Sequence, residues 1–427
     1  MSTSGESTCG CEHGTNSGLG RRSFLKRVAG ATALAGLAAQ GLTTKLSFAA
    51  NPYDGDVLVV LSLRGGFDGL NAVVPASDPR YLNLRPNTGI KQSALIGLDA
   101  NFGLHPALKP LKPFWDAGTF GVVQAVGMSN PTRSHFQAMA EMERAAPGTP
   151  IRSGWLDRTL GLRTDVPPFG GVQMGSTEPA GSLKGGNPEL AVQSVDSFTL
   201  SGIHDADARS RWRTALAGMN ADAPTPMAAP AHTALNALTT ATRLQRDGYV
   251  ARAAADYPNT ELGKALRDVA RLVKANVGLQ AACVDYGDWD MHAGMGNVDS
   301  GWLHDHLSEL GRSLAAFAID LGTDLNRVTL LTLTEFGRRV KENGSGGTDH
   351  GHGQAVLLLG GGVDGGKVHG QWPGLAEVDL VDGDLAGTTD YRSLLAEALE
   401  KRCGAGTLSE VFPSLSADRV GAFKPRF

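Results

Sequence analysis

The sequence predicts an α/β fold, a doubly wound and mostly parallel sheet with helices on both faces, formed by residues 50–427 after a leader at 1–49. Three observations predict it. Short, nearly uninterrupted apolar runs recur along the chain, the pattern of strands buried on both faces. Segments of helical period alternate with them, as a parallel sheet flanked by helices requires. Ionisable residues gather at the ends of those runs, where open parallel sheets bind their ligands.

The first 49 residues stand apart. GRRSFLKR at 20–27 precedes seventeen uncharged residues, Val28 to Thr44, and a small-residue exit at Ser47-Phe48-Ala49. A basic region, a short apolar stretch and small residues at the exit describe a secretory signal. The Arg21-Arg22 pair before Phe24-Leu25-Lys26 resembles a twin-arginine signal, so the twin-arginine translocation machinery is an expected partner and cleavage is expected after Ala49. The mature chain is expected in the periplasm or at the cell surface. Cys9, Cys11 and His13 fall in this leader, and only Cys283 and Cys403 remain beyond it, which excludes a disulfide scaffold. Loss of the leader leaves 34 Lys+Arg against 41 Asp+Glu, a net charge of −7. No basic patch interleaved with aromatic residues occurs, so nucleic acid is not an expected partner. The mature chain holds no stretch long and apolar enough to span a bilayer.

The elements follow in order. DVLVVLSL at 56–63 is the first strand, ending abruptly at Arg64-Gly65-Gly66. A proline-punctuated helix over 105–117 leads to a second strand, TFGVVQAV at 119–126, and 134–145 reads as a helix. Gly and Pro break the pattern over 147–200. The Ala-rich stretch 206–275 reads as three helices forming an insert. VGLQAACV at 277–284 resumes the sheet. Over 300–321, Leu303, Leu307, Leu310, Leu314, Phe317 and Leu321 recur in steps of four and three, one apolar helical face. VTLLTL at 328–333 and AVLLL at 355–359 complete the strands.

Each strand edge carries polar residues: Asp68; Ser134 and His135; Asp288, Asp290 and His292; Glu335; and Asp349, His350 and His352 before the last strand. Mixed carboxylate and imidazole ligands suit Zn²⁺ or another transition metal, whereas Ca²⁺ prefers oxygen alone. One divalent ion or two would serve, since two such ions can hold both oxygens of an in-line displacement.

RGGFDGLN at 64–71, SHF at 134–136, GDWDMHAG at 287–294, TEFGR at 334–338 and GTDHGHG at 347–353 resemble the signature blocks of an uncharacterised bacterial family with twin-arginine signals, itself similar to the alkaline phosphatase and sulfatase superfamily. The resemblance covers nearly the whole mature chain. It implies an alkaline phosphatase-like fold and metal-dependent hydrolysis of a phosphate or sulfate ester, small or glycan-borne. Asp68, Asp290, His292, Glu335 and His350 fall at its metal-binding positions, with Asp349 beside them. The imidazole expected after Glu335 is replaced by Phe336, so His135 or His352 would supply it; Met291 and Gly294 stand where the family more often has Thr and Asn. Ser134, with Thr132 behind it, falls where the superfamily places its nucleophile at a helix start. Ser134 and Gln137 also spell a capping box, in which the hydroxyl serves the backbone alone. Arg338, with Arg64 and Arg133, is placed to hold the anion by forked hydrogen bonds. The alternative is a catalytically degenerate member acting in binding or assembly at the cell surface or in the periplasm.

Other signals are local. GGVDGGK at 361–367 ends in Val368 where a phosphate loop needs Ser or Thr, DLVDGD at 379–384 lacks the closing Glu of a calcium loop, and His304 and His306 point in different directions on their helix. His105 begins a helix.

Overall fold

A computed structural model describes Tyr53 and residues 55–426, apart from 164, 165, 188, 222–224 and 417. The expected leader, with Cys9, Cys11 and His13, lies outside the described residues. Among the described residues the central sheet has nine strands: β1 (Val57–Leu63), β2 (Phe120–Gly127), β3 (Gly171–Met174), β4 (Leu190–Val192), β5 (Ala281–Tyr286), β6 (Val328–Leu333), β7 (Gln354–Gly360), β8 (Val368–His369) and β9 (Thr389–Asp390). Their order is β8-β2-β7-β6-β1-β5-β3-β4, with β9 also pairing β2. Every residue of β1, β2, β6 and β7 is buried, as their apolar runs require.

Two cores sandwich the sheet. One face presents Val57, Val59 and Leu61 to the helices Glu261–Lys274 and Trp302–Leu321. The other presents Leu58 and Val60 to the helices His135–Arg144, Trp155–Gly161 and Tyr391–Arg402. Adjacent residues of one strand therefore serve opposite cores, the period-two rule of the pleat. The stripe on Trp302–Leu321 is buried along its length, Leu303, Leu307, Leu310, Leu314, Phe317 and Leu321 each being at most 3% exposed. Burying one such side chain stabilises by about 1.5–3 kcal/mol, so this face anchors the helix.

Three expectations change. The strand expected at 277–284 begins only at Ala281, because Gly278 at φ 82° breaks the extended run and ladder pairing starts at Ala281. The stretch 147–200 contains two short strands, β3 and the edge strand β4, hidden in the sequence by their shortness. Three helices do stand within 206–275, at Ala206–Asn220, Thr225–Asp247 and Glu261–Lys274, but they are not one insert. The third buries nine residues, seven of them in the core beside the sheet, whereas the first buries none.

The direction of β7 matters most for the site. It runs antiparallel to both β6 and β2, while the remaining ladders are parallel. The loop before β7 therefore lies at the same edge as the loops that follow β1, β2, β5 and β6. A register shift between Gln354 and Val356, with Ala125 at φ 55°, bends the end of β2 toward the same edge.

Candidate metal centre

β1 is flanked by β5 and β6, and the three loops that follow these strands pack against each other. The contact is close enough to need glycine. Gly65 lies at φ 116° and Gly66 at φ 80°, and a Cβ on Gly65 would stand 2.7 Å from the Asp290 nitrogen. Arg338, 2% exposed, pins these loops: its Nε donates to the Gly66 carbonyl at 2.6 Å, Nη1 to that of Thr348 at 2.9 Å, and Nη2 to those of Gly65 and Trp289 and to Asp290 Oδ1 at 2.7 Å.

Three histidines surround Asp290. His350, from the loop before β7, donates Nδ1–H to the Arg133 carbonyl at 2.8 Å, because a carbonyl can only accept. His135, at the start of helix His135–Arg144, places Nδ1 2.7 Å from Glu335 Oε1. His292 places Nδ1 2.9 Å from Asp349 Oδ1, which also accepts from Asn343 Nδ2 at 3.0 Å. Each oxygen partner sets the tautomer, leaving each Nε2 with its lone pair.

Those lone pairs converge on acceptors. His350 Nε2 is 3.1 Å from Asp290 Oδ1 and 2.9 Å from His292 Nε2, which is itself 3.0 Å from Asp290 Oδ1. His135 Nε2 lies 3.5 Å from Asp290 Oδ2 and is buried with no hydrogen-bond partner. His135, Asp290 and His350 each bring one ligand atom within 4.8 Å of the others. Acceptors facing acceptors repel unless a cation joins them, either protons on the imidazoles in acid or a divalent metal. Partial desolvation works to raise the Asp290 carboxyl, but the hydrogen bond and charge of Arg338, with those of His350 and His292 in their protonated forms, hold it at about 2. The Asn343 and His292 hydrogen bonds likewise lower the Asp349 carboxyl. Two imidazoles and one ionised carboxylate are a donor set suited to Zn²⁺ or a similar transition metal, and each Nδ1 contact orients its ring as metal-binding histidines require.

The expected residues divide. Asp290, His292 and His350 come together, and His135 joins them. His352 does not: its Nε2 lies 3.1 Å from the Met128 carbonyl, and the ring packs against Gly127 and Gly387. Glu335 and Asp349, expected as ligands, stand one step back, each holding a histidine; Glu335 Oε1 also accepts from the Gly65 nitrogen at 2.9 Å. Asp68 is engaged elsewhere. Arg85 Nη1 binds both its oxygens at 2.8 and 2.7 Å, and its Oδ1 accepts from the Asn71 nitrogen at the start of a short helix. Arg338 has every donor nitrogen on a loop oxygen, so it positions Asp290 and does not grip a ligand. Arg64 is taken by Glu143 and Asp285.

Ser134 is the N-cap of helix His135–Arg144 but makes no side-chain cap bond. The capping box is not formed, because Gln137 Oε1 accepts from Thr132 Oγ1 at 3.1 Å instead. Sequence reasoning missed Arg85 and Asn343. Neither lies in a distinctive motif, and only their distant partners mark them.

The chain belongs to the family described as "Protein of unknown function (DUF1501)", whose model matches residues 122–400. No curated protein matches it.

Proposed function

We propose that the chain is a metal-dependent hydrolase of phosphate or sulfate esters, exported behind the leader at 1–49 and related to the alkaline phosphatase and sulfatase superfamily. The observation that carries the reading is the inward-facing acceptor cluster, above all His135 Nε2, buried without a partner and aimed at Asp290. In this reading His135, Asp290 and His350 hold a Zn²⁺ or similar ion, and His292 stands at its outer side. Glu335, Asp349 and the Arg133 carbonyl keep the imidazoles in the tautomer that can bind. A bound divalent cation supplies Lewis-acid stabilisation of charge developing on the ester group. Ser134 supports the reading as nucleophile because its hydroxyl is unused as a cap and stands next to His135 at a helix start.

Two observations favour a second reading, a metal-bearing binding or assembly protein without turnover: Asp68 is closed off by Arg85, and the Arg338 donors are consumed. Metal analysis of the purified folded chain, followed by assays on aryl phosphate and aryl sulfate esters, separates the two. Stoichiometric metal with turnover that is lost in Ser134→Ala supports the hydrolase. Metal without turnover supports the binding protein, and absence of metal sinks both.

A further inference from the structure

Among the described helices of ten residues or more, Ala206–Asn220 alone buries none of its residues. It packs against Thr225–Asp247, whose Ala237, Ala241 and Leu244 enter the core beside the sheet and anchor the pair. A helix of this length with no buried side chain is marginal in water, because most helical stability in proteins comes from packing an amphipathic face. Its free face therefore needs cover.

That face is apolar. Ala208, Trp212, Ala215, Leu216 and Met219 recur at steps of three and four, so they share one side of the helix. Trp212 and Met219 are 53% and 76% exposed, and Leu216 is half-buried. The same spacing puts Arg209 and Arg213 at one border of the stripe and Arg211 at the other, while Asp207, Ser210, Thr214 and Gly218 take the far side. Arg209 Nη1 donates to the Ile203 carbonyl at 3.5 Å, and none of the three arginines stands in an ion pair among the described residues. In the linear sequence one tryptophan among three arginines makes no patch. The helix sorts them into an apolar stripe with a positive rim.

An occupant must satisfy both parts. Two copies of the chain meeting through this stripe would set arginine rim against arginine rim in either helix direction, and like charges across an interface oppose it. A bilayer with anionic headgroups satisfies both: the apolar side chains enter the boundary between headgroups and acyl chains, and the arginine stems lie along it with their guanidinium groups at the phosphates. At 1.5 Å per residue the helix would cover about 22 Å of such a surface. No described helix is long and apolar enough to cross a membrane, so the contact is with its surface.

We propose that Ala206–Asn220 is an interfacial helix that seats this chain on an anionic bilayer. The attachment is local, since at physiological salt charges more than about 8 Å away are screened and the acidic remainder of the chain does not cancel the rim. It requires neither a metal nor turnover.

The test is flotation with vesicles of equal phosphatidylglycerol and phosphatidylcholine, and with phosphatidylcholine alone. It uses the full chain and the chain cut after Ala49, which keeps the compact unit Asn51–Phe427 whole. The cut chain should float with the anionic vesicles and not with the neutral ones, and less as salt rises. Arg211→Gln with Arg213→Gln should weaken that binding about thirtyfold, with circular dichroism unchanged because neither side chain is in the core. Trp212→Ser should weaken it as well, whereas Trp212→Phe should keep binding and abolish the blue shift of tryptophan emission that accompanies it. Equal flotation with both vesicle types, unchanged binding in the arginine pair, or flotation of the full chain alone overturns the proposal. So does self-association of the cut chain in sedimentation that Trp212→Ser disperses, since a second copy would then cover the stripe.

Discussion

The two edges of the sheet use carboxylates in opposite ways. At the amino edge Asp56 is fully buried, and everything that touches its oxygens is a donor: Thr329 Oγ1 at 2.7 Å, Arg402 Nε and Nη2 at 2.9 and 3.1 Å, and Arg426 Nη1. At the carboxyl edge Asp290 is half-exposed, and apart from Arg338 it faces imidazole nitrogens whose protons are committed elsewhere. The first arrangement is a staple, which charge and hydrogen bonding complete. The second is complete only with a cation. A cavity of about 380 Å³ also lies at the amino edge, lined by Leu58, Leu156, Gln280 and Cys403. Burial pushes the Cys403 thiol up to about 12, leaving it no nucleophile at neutral pH.

That contrast can be broken by mutation. Asp56→Ala should have the largest effect, about 3–5 kcal/mol of stability in denaturant unfolding, because it strands the buried Arg402 charge. Metal content of the folded fraction should not change, and a loss there would show that the two edges are not independent. His350→Ala should invert the pattern. Metal affinity should fall by more than about 100-fold, beyond the range of a supporting residue, with less loss of stability than Asp56→Ala; retained stoichiometric metal in elemental analysis would remove His350 from the ligand set. Glu335→Gln tests the step behind the ligands. It leaves His135 a neutral acceptor in place of a carboxylate and should weaken metal binding about 10–100-fold, an effect read in a chelator competition titration. His352→Ala should leave metal binding unaltered, although His352 is only two residues from His350; any fall in metal content would return His352 to the site.

Legibility in the sequence tracks the range of the interaction. The apolar stripe of 300–321 and the strand of 328–333 are set by residues a few positions apart, and they stand as read. The strands β3 and β4 are too short to show a period. At the site, Asp290, His292 and His350 were found because each sits at a strand edge. Asp68 shared that position but not that surrounding, since Arg85 arrives seventeen residues later and closes it.

By itself the amino-acid sequence determined the alternation of buried strands and helices, and the edge at which ionisable residues collect, because hydrophobic period and glycine punctuation are local properties. Only the tertiary structure decided which of those residues face one another. The antiparallel course of β7 brings His350 to the edge that the other strands reach by their carboxyl ends. Pairing with Glu335, Asp349 and the Arg133 carbonyl then sets three imidazole tautomers, and with them the difference between a ligand and the residue that holds it. Strand direction and proton position are set by partners two hundred residues or more away in the chain, so no local pattern encodes them.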